Sequence, residues 1–275
     1  MSDRTHMGHQ ARKRFGQNFL HDPNVIRNIV KSIRPKPGQN IVEIGPGMGA
    51  ITEELLDGTE GYLNVVELDR DLIPGLNVKF FNMPGFKIHE ADALKFDFAT
   101  LKHDENQLRI VGNLPYNIST PLIFHLLSYS GLVKDMHFML QKEVVQRLAA
   151  GPGDNNYGRL SIMAQYFCQV QHLFDVGPGA FKPAPKVDSA IVRMVPYETL
   201  PYPVKDHRTL ENIVRQSFSM RRKTLRNNLK TTISGEQLES LGIDPGLRPE
   251  RLGLAEYSKI ADFVFENSQS EDKDS

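Results

Sequence analysis

Hydrophobic positions along the first two thirds of the chain fall into short runs separated by helix-compatible stretches. Asp22 stands as an N-cap before Pro23, and Val25, Ile26, Ile29, Val30 and Ile33 recur on one face, which predicts a helix. Apolar runs then follow at Asn40 to Ile44, Tyr62 to Leu68, Phe86 to His89, Leu108 to Gly112 and Met136 to Leu140. Runs of this length alternating with helical segments predict βαβ units around a parallel sheet. Thr120-Pro121 opens a further helix through Leu122, Ile123, Leu126 and Leu127, closing near Gly131.

After residue 160 the pattern changes. Val170 to Val176 and Ala190 to Val195 read as later strands bracketing a Gly/Pro-rich loop from Gly177 to Lys186, and Tyr197 to Pro203 reads as a linker. Beyond it the pattern is helical, with Ser234 and Gln237 spaced as a capping box and Tyr257, Ile260, Ala261 and Val264 on one face. The last ten residues are polar enough to be disordered. The expected division is therefore an α/β domain over residues 1–203 and a small all-α domain over 204–275.

At 275 residues, 40% hydrophobic and 24% charged, the chain has the composition of a globular protein with room for two domains. No apolar run approaches bilayer-spanning length, so a cytoplasmic protein without membrane contact is expected. Its single cysteine, Cys168, excludes an intrachain disulfide or a cysteine metal cluster and reads as a buried small hydrophobe. Basic and acidic residues balance at 33 each, but unevenly. Between Glu211 and Lys230 stand Arg215, Arg221, Arg222, Lys223, Arg226 and Lys230 against Glu211 alone, and Arg12-Lys13-Arg14 forms a second basic knot. Local patches, not net charge, decide phosphate binding.

Glu43-Ile44-Gly45-Pro46-Gly47-Met48-Gly49 follows the first predicted strand and opens a helix, the place where glycines let backbone approach a nucleotide. A glycine turn can also simply join strand to helix. The spacing disfavours a dinucleotide, which wants G-x-G-x-x-G with room for pyrophosphate, and suits S-adenosylmethionine (SAM), which has no phosphate. Glu67 ends the second strand, placed to accept from both ribose hydroxyls, and Asp92 follows the third, placed to accept from an adenine amine.

Asn113-Leu114-Pro115-Tyr116 ends the fourth strand. An aromatic amine is a weak nucleophile because its lone pair is delocalised into the ring. Asn113 Oδ1 and a backbone carbonyl, that of Leu114, can accept its two N–H hydrogens and localise the lone pair, Pro115 stiffens the turn, and Tyr116 offers a ring for the extruded base. No general base is needed, since the methylated amine is acidic enough to lose its proton to water.

With these residues in place, the chain resembles the KsgA (RsmA) family of bacterial small-subunit ribosomal RNA adenine dimethyltransferases. The matching blocks are Gln17-Asn18-Phe19-Leu20, Glu43 to Gly49, Val66-Glu67-Leu68-Asp69, Asn113 to Tyr116, Gln141-Lys142-Glu143 and Phe181 to Ser189. The resemblance implies a Rossmann-like class I SAM-dependent methyltransferase fold and transfer of two methyls to each of two adjacent adenosines in a hairpin loop near the 3′ end of small-subunit RNA, within a precursor of the 30S subunit. It implies SAM contacts from Asn18, Leu20, Gly45, Gly47, Glu67, Asp92 and Asn113, with Phe181 facing Tyr116 across the base; a loop aromatic plugging a core is the equal alternative for Phe181. Gln141-Lys142-Glu143 reads as ionic pairing at a helix start. Arg222, Arg226 and Lys230 share i, i+4 spacing on a predicted helix, so with Arg221, Lys223 and Arg12 to Arg14 they are candidate phosphate contacts. No metal site is expected, and monomer is the default.

Four rivals bear on this reading. A large-subunit adenine methyltransferase of the macrolide-resistance type shares fold and tetrapeptide but not the C-terminal resemblance. A DNA adenine methyltransferase would carry a proline where Leu114 stands. An NAD-dependent oxidoreductase fails on glycine spacing, and a ribosome assembly factor is compatible with methylation.

Overall fold

The computed structural model describes residues 5–6, 9–10, 17–102, 104–220 and 222–271. The chain divides into two compact units, Met1–Val145 with Gln169–Pro196, and Gln146–Cys168 with Tyr197–Ser275. Sequence reasoning divides it once, after Pro203. The difference lies in residues 146–168, an excursion between two sheet strands whose helix α6 (Arg159–Phe167) belongs with the C-terminal helices. Arg159 pairs with Glu211 at 2.7 Å, Gly153 N donates to Glu250 O, and Tyr197 N donates to Phe167 O.

In the first unit, β1 (Thr5–His6) and β2 (His9–Gln10) form a short antiparallel pair. β3 (Phe19–Leu20) precedes α1 (Pro23–Ile33), where Asp22 Oδ1 accepts from the amides of Asn24 and Val25 as the cap position demands. The main sheet is built from β4 (Asn40–Ile44), β5 (Leu63–Glu67), β6 (Phe86–Glu90), β7 (Leu108–Asn113), β8 (Val133–Gln141), β9 (Cys168–Val176) and β11 (Ser189–Pro196), in the order β6-β5-β4-β7-β8-β11-β9. β4 to β8 run parallel and β11 pairs antiparallel with β8. Between them lie α2 (Ala50–Gly58), α3 (Ile73–Lys79), α4 (Ser119–Leu127) and α5 (Lys142–Ala149). β4 is buried throughout, as a central strand of a parallel sheet is, and this burial includes Asn40 and Glu43.

Opposite charges are buried between two of these strands. Arg109 in β7 is 5% exposed and forms a bidentate pair with Asp135 of β8, Nε to Oδ1 at 2.9 Å and Nη2 to Oδ2 at 3.0 Å. Its remaining protons go to Gln39 Oε1 and to the Ile33 and Arg34 carbonyls at the end of α1. His137, two residues further along β8, is 3% exposed; burial, with the Arg109 charge in the same direction, pushes its imidazole down to about 4 against the pull of Asp135. The unfolded chain therefore binds a proton at this position below pH 6.5 that the fold refuses until about pH 4. Stability from this group is complete above pH 6.5 and lost as pH falls towards 4. In urea unfolding, His137→Met should gain about 3 kcal/mol relative to the parent between those two pH values.

The second unit packs α6 with α7 (His207–Ser217), α8 (Leu225–Leu229), α9 (Gly235–Ser240) and α10 (Leu254–Glu271), around Leu210, Ile213, Val214, Leu225, Leu229, Leu238, Tyr257 and Ile260. The capping box forms, Gln237 N to Ser234 Oγ at 3.1 Å and Ser234 N to Gln237 Oε1 at 2.8 Å. Two expectations are corrected. Helix α10 runs on to Glu271, so residues 266–271 are helical where disorder is expected from composition. The basic segment is not one helix. Arg222 and Lys223 lie in a turn ahead of the five-residue α8, because buried Asn228 donates to the Met220 and Lys223 carbonyls and holds the chain there out of helix. Arg222, Lys223, Arg226 and Lys230 are all exposed, but the straight i, i+4 stripe does not exist. Arg221, Arg12, Lys13 and Arg14 lie outside the described residues. Among the described residues, no helix is long and apolar enough to cross a membrane, and no cluster of acidic, histidine or cysteine side chains could hold a metal.

Candidate active site

In a sheet ordered β5-β4-β7-β8, connections leave in opposite directions from β4 and β7, so a crevice opens beyond their carboxyl ends. Both sequence motifs end there. Gly45 and Gly47 take φ values of +67° and +59°, open to glycine and strained for other residues, and this wraps the turn back over the strand end. The two strands sit close because residue 112 is also glycine: a Cβ there would lie 2.4 Å from the Ile44 carbonyl oxygen. The glycine turn and Asn113 are thereby adjacent, although 64 or more residues separate them in sequence.

The crevice is a cavity of about 300 Å³, a volume suited to a small ligand. Asn18, Leu20, Gly45, Gly47, Glu67, Asp92, Asn113, Leu114, Pro115 and Tyr116 all line it. Phe181 does not. It is 3% exposed, paired with Leu20 across the β3/β10 ladder (β10, Phe181–Lys182), and packed in the core with Leu20 and Ala180. The ring belongs to the buried core cluster that also holds Ile29 and Ile33 of α1 and Ile191 of the sheet, the core position that was the equal alternative for it.

The cavity's carboxylates and the Asn113 amide are each held by a second group. Glu67, 7% exposed, accepts from Asp69 N at 2.8 Å and Gly47 N at 3.4 Å; burial raises its carboxyl above the usual range while these amides pull it back. Asp92 Oδ1 accepts from Leu94 N at 3.0 Å. Asn113 Nδ2 donates to Asn18 O at 3.2 Å, which leaves the amide oxygen as the acceptor end. Leu114 N donates to Met139 O at 3.1 Å, anchoring the tetrapeptide to β8.

Sequence reasoning assigns no role to three residues that the fold places here. Gln17 lines the cavity and donates to the buried Asp69 at 2.6 Å. Glu43, also lining it, is 2% exposed and accepts from Thr52 Oγ1 at 2.6 Å. Burial, with the nearby Glu67 charge, pushes the Glu43 carboxyl up to about 7 against the Thr52 bond. Glu43 and Asp69 lie within quoted motifs, so their positions were visible and their partners were not. A raised carboxyl costs stability as pH climbs from 4.5 to 7, the opposite sign to His137. Glu43→Gln, which keeps an acceptor for Thr52, should gain about 3 kcal/mol relative to the parent across that window in urea unfolding.

The family model of the ribosomal RNA adenine dimethylases matches residues 8–265. The chain belongs to this family. Among its relatives is the ribosomal RNA small subunit methyltransferase A of Marinobacter nauticus, 71% identical over 95% of this chain and 94% of that one. The crystal structure of a dimethyladenosine transferase from Plasmodium falciparum superposes with a TM-score of 0.75 at 27% identity, covering 92% of this chain and 98% of that one. That of the 23S rRNA methyltransferase ErmE gives 0.71 at 22% identity, covering 90% and 100%, a likeness of fold alone. The fold is that of a class I SAM-dependent methyltransferase. This adenine dimethylase transfers methyl groups from SAM to adenine N6 in small-subunit, 16S, ribosomal RNA.

Proposed function

We propose that the dimethylase modifies two adjacent adenosines in a hairpin loop near the 3′ end of 16S RNA, acting as a cytoplasmic monomer on a precursor of the 30S subunit. The observation that carries the site assignment is the fixed amide of Asn113 at the mouth of a cavity lined by Glu67 and Asp92. The lining fits SAM in kind: apolar Leu20, Ile51, Leu72 and Leu94 for the purine and methylene surfaces, carboxylates for hydroxyl and amine donors, and, among the described residues, no lysine or arginine of the kind a phosphate would require. Glu67 would hold the ribose and Asp92 the adenine amine, with Asn18, Leu20, Gly45 and Gly47 against the remainder. When bound, SAM supplies an electrophilic methyl on a sulfonium leaving group.

The chain's own contribution is to make the target amine nucleophilic and to aim it. Asn113 Oδ1 and Leu114 O accept its two hydrogens, Pro115 keeps the turn from reordering, and Tyr116 stacks on the base. The proton leaves to water after the N–C bond forms. Arg222, Lys223, Arg226 and Lys230, with Arg221 and Arg12 to Arg14, would contact phosphates, giving salt-dependent binding with little base specificity.

The test is methyl transfer from labelled SAM to small-subunit particles lacking dimethyladenosine, with digestion and mass analysis of the nucleosides. Dimethyladenosine confined to the 3′ hairpin of small-subunit RNA is expected. Label elsewhere in that RNA, or on naked RNA as readily as on particles, would overturn the proposed target.

A further inference from the structure

Tyr116 is half-buried, with its ring at the cavity and its phenol oxygen 2.6 Å from Ser189 Oγ. Ser189 is wholly buried and opens β11, where it pairs with Gln141 at the end of β8. The next rung is closed as well, by Lys142 N donating to Asp188 O at 2.9 Å. The serine hydroxyl thus sits on rigid backbone while the tyrosine hangs from a turn. Burial raises the Tyr116 phenol above its ordinary value, so it stays protonated and hydrogen-bonded at any working pH. A tyrosine side chain has two torsions, and a bond at the far end of the ring restricts both.

We propose that Ser189 is a positioning residue for methyl transfer: through the Tyr116 phenol it fixes the plane of the ring on which adenine stacks, and its effect falls chiefly on the second methylation. The inference rests on the reading of Tyr116 as the stacking platform. In the first transfer the amine has two hydrogens to give, to Asn113 Oδ1 and Leu114 O. After it, one hydrogen has been replaced by a methyl and one of those bonds is gone. Stacking then carries more of the alignment, and a tilted ring misplaces the nitrogen where little else corrects it.

The proposal is tested by single-turnover transfer from labelled SAM to small-subunit particles with Ser189→Ala, Tyr116→Phe and the double variant, reading monomethyl- against dimethyladenosine. Each single variant should slow the second transfer about tenfold more than the first, a size typical of one lost hydrogen bond. Monomethyladenosine should accumulate, SAM affinity by calorimetry should be unchanged, and the double variant should be no worse than either single. A parental product ratio in Ser189→Ala, additive losses, or equal slowing of both steps with weakened SAM binding would overturn it. Tyr116→Ala separates the two layers. Its collapse beside a silent Ser189→Ala sinks the positioning role alone, and parental activity in Tyr116→Ala sinks the stacking reading with it.

Discussion

Asn113→Ala is expected to lower methyl transfer at saturating SAM by about 10²- to 10³-fold, the size seen when one preorganised polar group that acts in the transition state is removed. The reason is geometric as well as chemical. Asn113 Nδ2 is committed to the Asn18 carbonyl, so the oxygen is oriented before substrate arrives and no reorganisation accompanies reaction. Binding to small-subunit particles, measured by co-sedimentation, should persist, because the exposed basic residues Arg222, Lys223, Arg226 and Lys230 lie in the other unit and are untouched. Loss of methylation and particle binding together would overturn this separation, and with it the idea that an assembly role can outlast catalysis.

The second large effect concerns stability. Arg109→Met should destabilise the protein by about 3–5 kcal/mol in urea unfolding, because it strands the Asp135 carboxylate in the sheet interior without a partner. It also removes the donors that close the α1 carbonyls of Ile33 and Arg34. Replacing both members, Arg109→Met with Asp135→Leu, should cost less than the single change, since no unpaired charge remains. A double variant as unstable as the single would mean that the helix-end bonds, not the stranded carboxylate, dominate. The pair ties β7 to β8 near the start of β7, four residues before Asn113 at its other end.

Much of the site was legible because its parts are local. The glycine turn, the acidic residues at strand ends and the tetrapeptide are each short, and a parallel sheet brings successive strand ends to one edge. The partners that hold those residues were not legible. Glu43 with Thr52 and Asp69 with Gln17 are contacts between elements, and Ser189 reaches Tyr116 from 73 positions away. The basic segment shows the converse failure. Its i, i+4 spacing is a genuine local signal, overridden by the buried Asn228, whose amide ties the preceding turn.

The chain's sequence alone determined the alternation of strand and helix, the start of α1 at Asp22, the capping of α9 and the sites where backbone can turn sharply, because these depend on neighbours within one or two turns. Only the tertiary structure decided that Arg109 and Asp135 would be buried as a pair, that Phe181 would be buried in a core cluster with Leu20, and that residues 146–168 would join the C-terminal helices. Burial and pairing of that kind are settled by strand order and packing across the sheet, where a residue's neighbours lie dozens of positions away and local periodicity carries no information about them.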